Sequence, residues 1–266
     1  MWWTDILIPA AIFAGMGVVL GAALAIASRI FAVKTDERIE KITEALPGAN
    51  CGGCGYSGCA ALAEAIVKGE VPPNACMVGG EKSAFAIGEI MGVAVTAPVR
   101  MHAQVMCSGS KHEAHRKYRY IGAQDCAAAE KMGGGDKQCP NGCIGLGSCA
   151  AACPYDAIRV ENFLAVVDAE KCRGCGVCVN QCPKHIIRMV PYGATHWVGC
   201  LSVEVGKITR QQCEVGCISC KLCEKVCPVG AIKVDNFVAS IKYDLCTGCG
   251  ACAQKCPRKI IHCVKK

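Results

Sequence analysis

Hydrophobic positions are distributed very unevenly along this chain. From Ile6 to Ala27 there are 22 residues without a charge, which as a helix rising 1.5 Å per residue would extend about 33 Å and match the core of a bilayer. Trp2 and Trp3 precede the run where interfacial aromatics belong, and Arg29, Lys34 and Arg38 follow it. The positive-inside rule then puts the N-terminus outside and everything after the span in the cytoplasm. A cleaved signal peptide is the competing reading. It fits less well, because the leading residues carry no positive charge and the apolar run exceeds a typical signal core. Gly17 and Gly21 form a small-xxx-small pair, read either as a helix-packing face or as the ordinary glycine content of membrane helices. The span holds no ionisable residue, so this helix offers no ion pathway of its own.

Beyond the span the pattern breaks into short pieces. Thr35 to Ala45 is polar and helix-compatible, and an alanine-rich helical run follows Cys59. Glu81 to Ala97 is apolar and rich in small residues, with no charge after Glu89. It reads as a packing helix or a membrane-surface contact. AIKVDNFVASIKY, residues 231–243, reads as two short strands around an Asp-Asn turn.

Composition changes the picture of what holds these pieces together. The 266 residues have room for two or three small domains, but with aromatics at 5% there is little bulk for one large core. Twenty-five cysteines are too many for a cytosolic enzyme with ordinary thiols, and an odd number cannot all pair as intramolecular disulfides. Metal ligation remains, and clusters would staple short loops where hydrophobic burial alone falls short. The formal charge is +7, yet a 4Fe-4S core on four thiolates carries about −2, so five would contribute roughly −10. The lysines and arginines are scattered among the cysteines without base-stacking aromatics, which argues against a nucleic-acid partner.

The first cysteine constellation is PGANCGGCGYSGC, followed by the helical run and VPPNAC. Cys51, Cys54, Cys59 and Cys76 give C-x2-C-x4-C-x16-C, with three thiolates on one glycine-rich loop able to wrap a cluster and aim N–H groups at sulfur. Zinc also accepts four thiolates, but the spacing departs from zinc-ribbon patterns.

The rest of the chain is duplicated. Cys126, Cys139, Cys143, Cys149, Cys153, Cys172, Cys175, Cys178 and Cys182 recur 74 positions later as Cys200, Cys213, Cys217, Cys223, Cys227, Cys246, Cys249, Cys252 and Cys256. Ala157-Ile158 matches Ala231-Ile232, and Asn162-Phe163 matches Asn236-Phe237. Each copy contains a C-x2-C-x2-C-x3-C-P run, whose fourth cysteine ligates the other cluster of a two-cluster ferredoxin. In the second copy Cys217, Cys220, Cys223 and Cys256 are predicted to hold one cluster, and Cys227, Cys246, Cys249 and Cys252 the other. In the first copy Cys153, Cys172, Cys175 and Cys178 form one set. The remaining set is irregular, because Leu146 occupies the middle cysteine position. The preferred reading there is Cys139, Cys143, Cys149 and Cys182, with a 3Fe-4S centre or a vacant site as the alternative.

Five 4Fe-4S clusters leave Cys107, Cys126, Cys200, Cys213 and Cys263 unassigned. They are read either as buried small hydrophobes or, for Cys107, Cys126, Cys200 and Cys213, as ligands of a sixth cluster. The predicted fold is α+β: a transmembrane anchor (1–28), a small helical 4Fe-4S domain (29–98), a connecting segment (99–136) and two tandem ferredoxin-like modules (137–192 and 193–266).

The order of anchor, C-x2-C-x4-C-x16-C motif and ferredoxin motifs resembles the RnfB family of the Rnf complexes, which are membrane-bound, ion-translocating ferredoxin:NAD oxidoreductases, and the resemblance covers nearly the whole chain. It implies one component of a translocase that takes electrons from soluble ferredoxin, sits in the cell membrane with other membrane and peripheral subunits, and leaves NAD binding and ion movement to them. Many short members carry one ferredoxin module, so the second copy is a departure, and it leaves open which module meets the donor. A different reading is a free-standing membrane polyferredoxin that shuttles electrons without ion coupling. A third, ranked last, is a non-redox protein with structural clusters or zinc.

Several other patterns carry no chemistry. Tyr192-Gly193-Ala194-Thr195 has a tyrosine where a flavin-attachment motif begins with Ser or Thr, and reads as a loop. His112-Glu113-Ala114-His115 lacks the i, i+4 histidines of a zinc protease and reads as a solvated turn. No G-x-G-x-x-G follows a predicted strand, so no dinucleotide site is visible. The basic run 111–119 reads as a solvated surface, with steering of an acidic ferredoxin as the second reading.

Overall fold

The computed structural model describes residues 2–30 and 36–263; Lys34 and Thr35, part of the expectations above, and residues 264–266 lie outside them. Helix α1 (Trp2–Ile30) contains the apolar run. Its window Ile6–Arg29 has a mean hydropathy of 2.3 and buries none of its side chains in the protein. A helix of that length and composition could span a membrane.

Three helices form the next unit: α2 (Glu37–Ala45), α3 (Cys59–Val67) and α4 (Gly80–Met91). Asp36 caps α2 by accepting the Arg38 N–H, and Glu37 and Glu40 lie in the positive first turn. Helices α3 and α4 both pack on α2. Their apolar faces bury Ile42, Leu46, Leu62, Ile66 and Ile87 together with Cys76. Helix α4 is shorter than the 81–97 run suggested. Gly92 adopts a left-handed conformation (φ 66°) and the Val93 N–H turns back to the Gly88 carbonyl, ending the helix.

The remainder contains two similar halves. In the first, β1 (Met101–Val105) is followed by α5 (Cys126–Lys131), α6 (Ser148–Ala151), the hairpin β2 (Ile158–Glu161) and β3 (Leu164–Val167), α7 (Val177–Gln181) and β4 (Ile187–Pro191). In the second, β5 (His196–Val198) is followed by α8 (Gly206–Gln212), α9 (Leu222–Val226), the hairpin β6 (Ile232–Asp235) and β7 (Val238–Ile241), α10 (Ala251–Lys255) and β8 (Ile261–Cys263). Each half pairs its first strand antiparallel with its last, Val105 opposite Ile187 and Val198 opposite Ile261. The hairpins turn on Asn162-Phe163 and Asn236-Phe237, all four at positive φ, as a type I′ turn requires.

The strand register relates these segments to one another. Strand β1 lies inside the 99–136 segment, which therefore supplies half of a two-stranded sheet and is not a mere connection. Val105 and Val198 occupy equivalent places, so Cys107, two residues on, is equivalent to Cys200 in the same position. The 74-residue match of Cys126 with Cys200 is a coincidence of numbering, produced by a longer stretch between β1 and Cys143 than between β5 and Cys217.

The 111–119 run is also partly structural. Ala114 is buried and bridges to Cys213, the His115 N–H donates to the Gln212 carbonyl at 2.9 Å, and the Glu214 N–H donates to Glu113 at 2.8 Å. These bonds tie the two halves together where a solvated turn was expected. Residues 192–195 do form the loop between β4 and β5, with the Arg100 guanidinium 3.8 Å over the Tyr192 ring.

Candidate metal centres

All 25 cysteines are free thiols, and the elements above gather most of them around a few spaces. Cys51, Cys54, Cys59 and Cys76 line one pocket. The loop before α3 is held by the Asn50 side chain, which accepts the Cys59 N–H at 2.8 Å, while the Gly79 N–H points at the Cys76 sulfur at 3.3 Å.

Cys126, Cys143, Cys149 and Cys182 line a second pocket. Cys139, grouped by spacing with Cys143, Cys149 and Cys182, does not line this pocket, whereas Cys126 does. The reason is local: Asp125 caps α5 through the Ala128 N–H, and Ser148 at the start of α6 accepts the Cys126 N–H at 2.7 Å and donates to Asp125 at 2.9 Å. That arrangement brings Cys126 to the place that Leu146 leaves without a thiol. The Ala128 N–H, followed by the Ser148 hydroxyl, holds the Asp125 carboxyl below its usual range.

Cys139 lines a third pocket with Cys107, Cys200 and Cys213. Two of these thiols come from each half, and from equivalent positions: Cys107 with Cys200 after the first strands, Cys139 with Cys213 four residues before Cys143 and Cys217. Gly109 lies against the Cys213 sulfur, and the Lys137 ammonium, bonded to the Gly109 and Phe163 carbonyls, closes the first-half side. Arg258 bonds the Cys213 carbonyl at 2.7 Å on the other.

The remaining cysteines also lie beside one another. The thiols acting on Cys178 are those of Cys172, Cys175 and Cys153. Cys223 is surrounded by Cys217, Cys220 and Cys256, and Cys252 faces Cys246 and Cys227. Cys249 is exposed on the loop just before α10.

Sulfur acceptors recur throughout. The Ala103 N–H donates to Cys172, Ala157 to Cys153 and Ala231 to Cys227, at 3.4, 3.4 and 3.2 Å. Two such bonds run between sets: the Cys143 N–H to the Cys107 sulfur and the Cys217 N–H to the Cys200 sulfur, both 3.4 Å. Burial, followed by the neighbouring thiols Cys143, Cys126 and Cys182, pushes Cys149 up to about 12. Burial likewise pushes Cys178 and Cys200 to about 12, and Cys143, Cys213 and Cys223 to about 11.

Thiols in such surroundings cannot ionise together unless cations sit among them, and iron supplies that charge. Among the described residues no three His, Cys, Asp or Glu side chains are arranged to hold a single metal ion. A tetrahedral zinc would draw its sulfurs to about 3.8 Å from one another. Here the cysteines line pockets, where a cubane would interpose its own iron and sulfide between them. The N–H groups aimed at sulfur fit the same group.

A family model for an Fe-S cluster matches residues 46–78, and three models of 4Fe-4S dicluster domains match 135–185, 171–231 and 216–261. Cavities walled by cysteines, on short paired strands with these matches, define an iron–sulfur electron-transfer protein carrying several ferredoxin-type domains. The chain is 43% identical over 253 residues to the B component of the ion-translocating oxidoreductase complex of Methanosarcina acetivorans, covering 95% of this chain and 96% of the relative. It is 45% identical to the B component of the Na(+)-translocating ferredoxin:NAD(+) oxidoreductase complex of Acetobacterium woodii, over 96% of this chain and 77% of the relative. The corresponding component of the proton-translocating ferredoxin:NAD(+) oxidoreductase complex of Clostridium ljungdahlii is 36% identical, over 94% and 89%. The chain belongs to the RnfB family that these relatives represent, and is a subunit of an oxidoreductase complex.

Proposed function

We propose that this chain is the membrane-anchored electron entry subunit of an Rnf-type ferredoxin:NAD oxidoreductase, and that it holds six 4Fe-4S clusters rather than five. Each cluster, when bound, supplies a reversible one-electron couple. The protein's part is to hold the thiolates, aim N–H groups at sulfur and keep neighbouring sites close.

The ligand sets we assign are Cys51, Cys54, Cys59 and Cys76; Cys153, Cys172, Cys175 and Cys178; Cys126, Cys143, Cys149 and Cys182; Cys107, Cys139, Cys200 and Cys213; Cys217, Cys220, Cys223 and Cys256; and Cys227, Cys246, Cys249 and Cys252. Cys263 is left over. The observation that carries this reading is the cavity walled by Cys107, Cys139, Cys200 and Cys213, which gives a task to thiols that a five-cluster count leaves idle. Its two outgoing N–H to sulfur bonds link it to the neighbouring site in each half. The sites then form one path from the N-terminal domain, through the first half and the central site, to the second half.

In this reading the first ferredoxin-like module begins at β1 and the second at β5. Helix α1 crosses the membrane once, with the cysteine-rich part in the cytoplasm. Soluble ferredoxin donates electrons, and sister subunits move the ion and reduce NAD. Iron and acid-labile sulfide in the anaerobically purified, dithionite-reduced protein test the count, with EPR to identify the clusters. About 24 irons per chain are expected, and Cys107→Ala or Cys213→Ala should each remove about four. About 20 irons, unchanged by either substitution, would return the protein to five clusters.

A further inference from the structure

The two halves repeat one another, yet one face differs between them. In the first half the segment between β1 and Cys143 folds over Leu146 and over the tip of the β2–β3 hairpin. The Arg116 guanidinium lies 4.4 Å over the Phe163 ring, and Leu146 and Tyr120 pack against Cys126 and Ala129 of α5. Arg119 joins them as a wall of the pocket that Leu146 and Phe163 also line. In the second half the stretch between β5 and Cys217 is shorter and holds one helix, α8, among the described residues.

The equivalent place there faces outward. Cys220, where the first half has Leu146, is exposed, and so is Lys221. Leu222 is 44% exposed, and Phe237, the counterpart of Phe163, is 48% exposed. The Ser219 hydroxyl donates to the Phe237 carbonyl, so this loop and the hairpin tip form one surface. Lys225, also exposed, follows one turn on, its N–H donating to the Lys221 carbonyl at 3.1 Å. Cys249 is exposed as well, but its loop, residues 244–250, contains Asp244 and no cation.

A small apolar centre edged by cations beside an exposed thiol suits a brief encounter with an anionic protein. A soluble carrier of two 4Fe-4S clusters brings about −4 from its clusters alone. Residues 36–98, with eight acidic and four basic side chains, repel such a carrier. Residues 193–263 have nine basic and five acidic side chains, which offsets the charge of their own two clusters and leaves Lys221 and Lys225 as a local attraction.

We propose that soluble ferredoxin docks on this face of the second half, its cluster opposite Cys220 and its acidic side chains against Lys221 and Lys225. This deepens the electron-entry reading above and rests on it. One electron leaves the reduced donor cluster and reduces the cluster of Cys217, Cys220, Cys223 and Cys256, with no bond made or broken. The Cys217 N–H to Cys200 sulfur bond links that site onward to the central one. The matching face of the first half is closed by its own segment.

The test is anaerobic stopped-flow reduction of the iron-loaded full chain in detergent by a reduced two-cluster ferredoxin, at low and high salt. Lys221→Glu with Lys225→Glu should lower the second-order rate constant about tenfold at low salt and much less at high salt. Iron content, EPR spectrum and reduction by dithionite at high salt should not change. Lys225→Glu alone lies outside the cysteine loop and decides the matter if the pair loses iron. Lys68→Glu with Lys82→Glu, the same change of charge on the N-terminal unit, should alter the rate by less than about threefold. An unchanged rate in the second-half variants, or an equal loss from the Lys68 and Lys82 pair, overturns the proposal. A loss with Arg119→Glu and not with the second-half variants overturns it too, and moves docking to the first half. If ferredoxin fails to reduce even the unaltered chain while dithionite succeeds, the electron-entry reading itself fails, and the proposal with it.

Discussion

Leu146 stands in the first half where Cys220 stands in the second, and its neighbourhood shows how a ligand can be replaced by a distant one. Leu146 packs against a small cluster of Cys126, Ala129 and Ile144, so the side chain that takes the place of a thiol also buttresses the helix that brings in its substitute. Cys126 is fixed by a cap and a hydroxyl. The sulfur consequently arrives by tertiary packing, not by spacing along a loop. Cys126→Ala should therefore lose about four irons, or convert that site to a three-iron centre. Adding Leu146→Cys to that variant should restore the local motif and recover the iron, since module 2 builds its site in that way. A double variant with no more iron than Cys126→Ala alone would show that the loop around Leu146 no longer presents a ligand. Cys139→Ala should instead affect the central site, and its EPR difference spectrum should match that of Cys213→Ala.

Short elements explain which parts of this arrangement could be read from the sequence. The C-x2-C-x2-C-x3-C-P runs are legible because three cysteines lie within one short loop, and the second hairpin because two β-rich runs flank its turn, which falls on Asn236-Phe237, one residue past the expected Asp-Asn pair. The exchange of Cys126 for Cys139 that we propose was not legible. It depends on β1 and β5, strands of five and three residues, too short to give a period that would align Cys107 with Cys200. The Val-x-Cys pattern at Val105 and Val198 was the available signal, and the stronger 74-residue echo of Cys126 concealed it. The docking of the N-terminal helices was hidden for another reason: a glycine in a cysteine loop looks the same whether it serves the cluster or a neighbour. Gly53 serves the neighbour. Gly53→Ala would drive a methyl group into the Cys175 backbone, so the loop must move away at a cost of about 1–3 kcal/mol. We expect full iron content, a lower urea midpoint and weaker spin coupling between the N-terminal cluster and that of Cys172. Unchanged coupling would mean that the two sites do not meet through this loop.

At the scale of the whole molecule, the protein's interior is in large part made of its cysteines. The buried clusters of the two halves contain Cys143, Cys149, Cys172 and Cys178 in one and Cys200, Cys217 and Cys223 in the other, beside a modest number of isoleucines and valines. Six clusters would also add about −12 to a formal +7, making the loaded protein net negative, so an acidic donor would have to be met by a local basic surface rather than by overall charge. The same dependence governs folding. Without iron the thiols are small neutral side chains lining pockets that a chain with 5% aromatics has little other bulk to hold together. Helix α1 needs no metal, since its 29 residues satisfy their backbone bonds internally and its apolar surface needs only detergent or lipid. Anaerobic iron chelation in detergent should therefore abolish the protease resistance of residues 36–263 while a helical circular-dichroism signal of about one 29-residue helix persists. An apoprotein that kept its protease-resistant core would show that the short helices and paired strands suffice without the clusters.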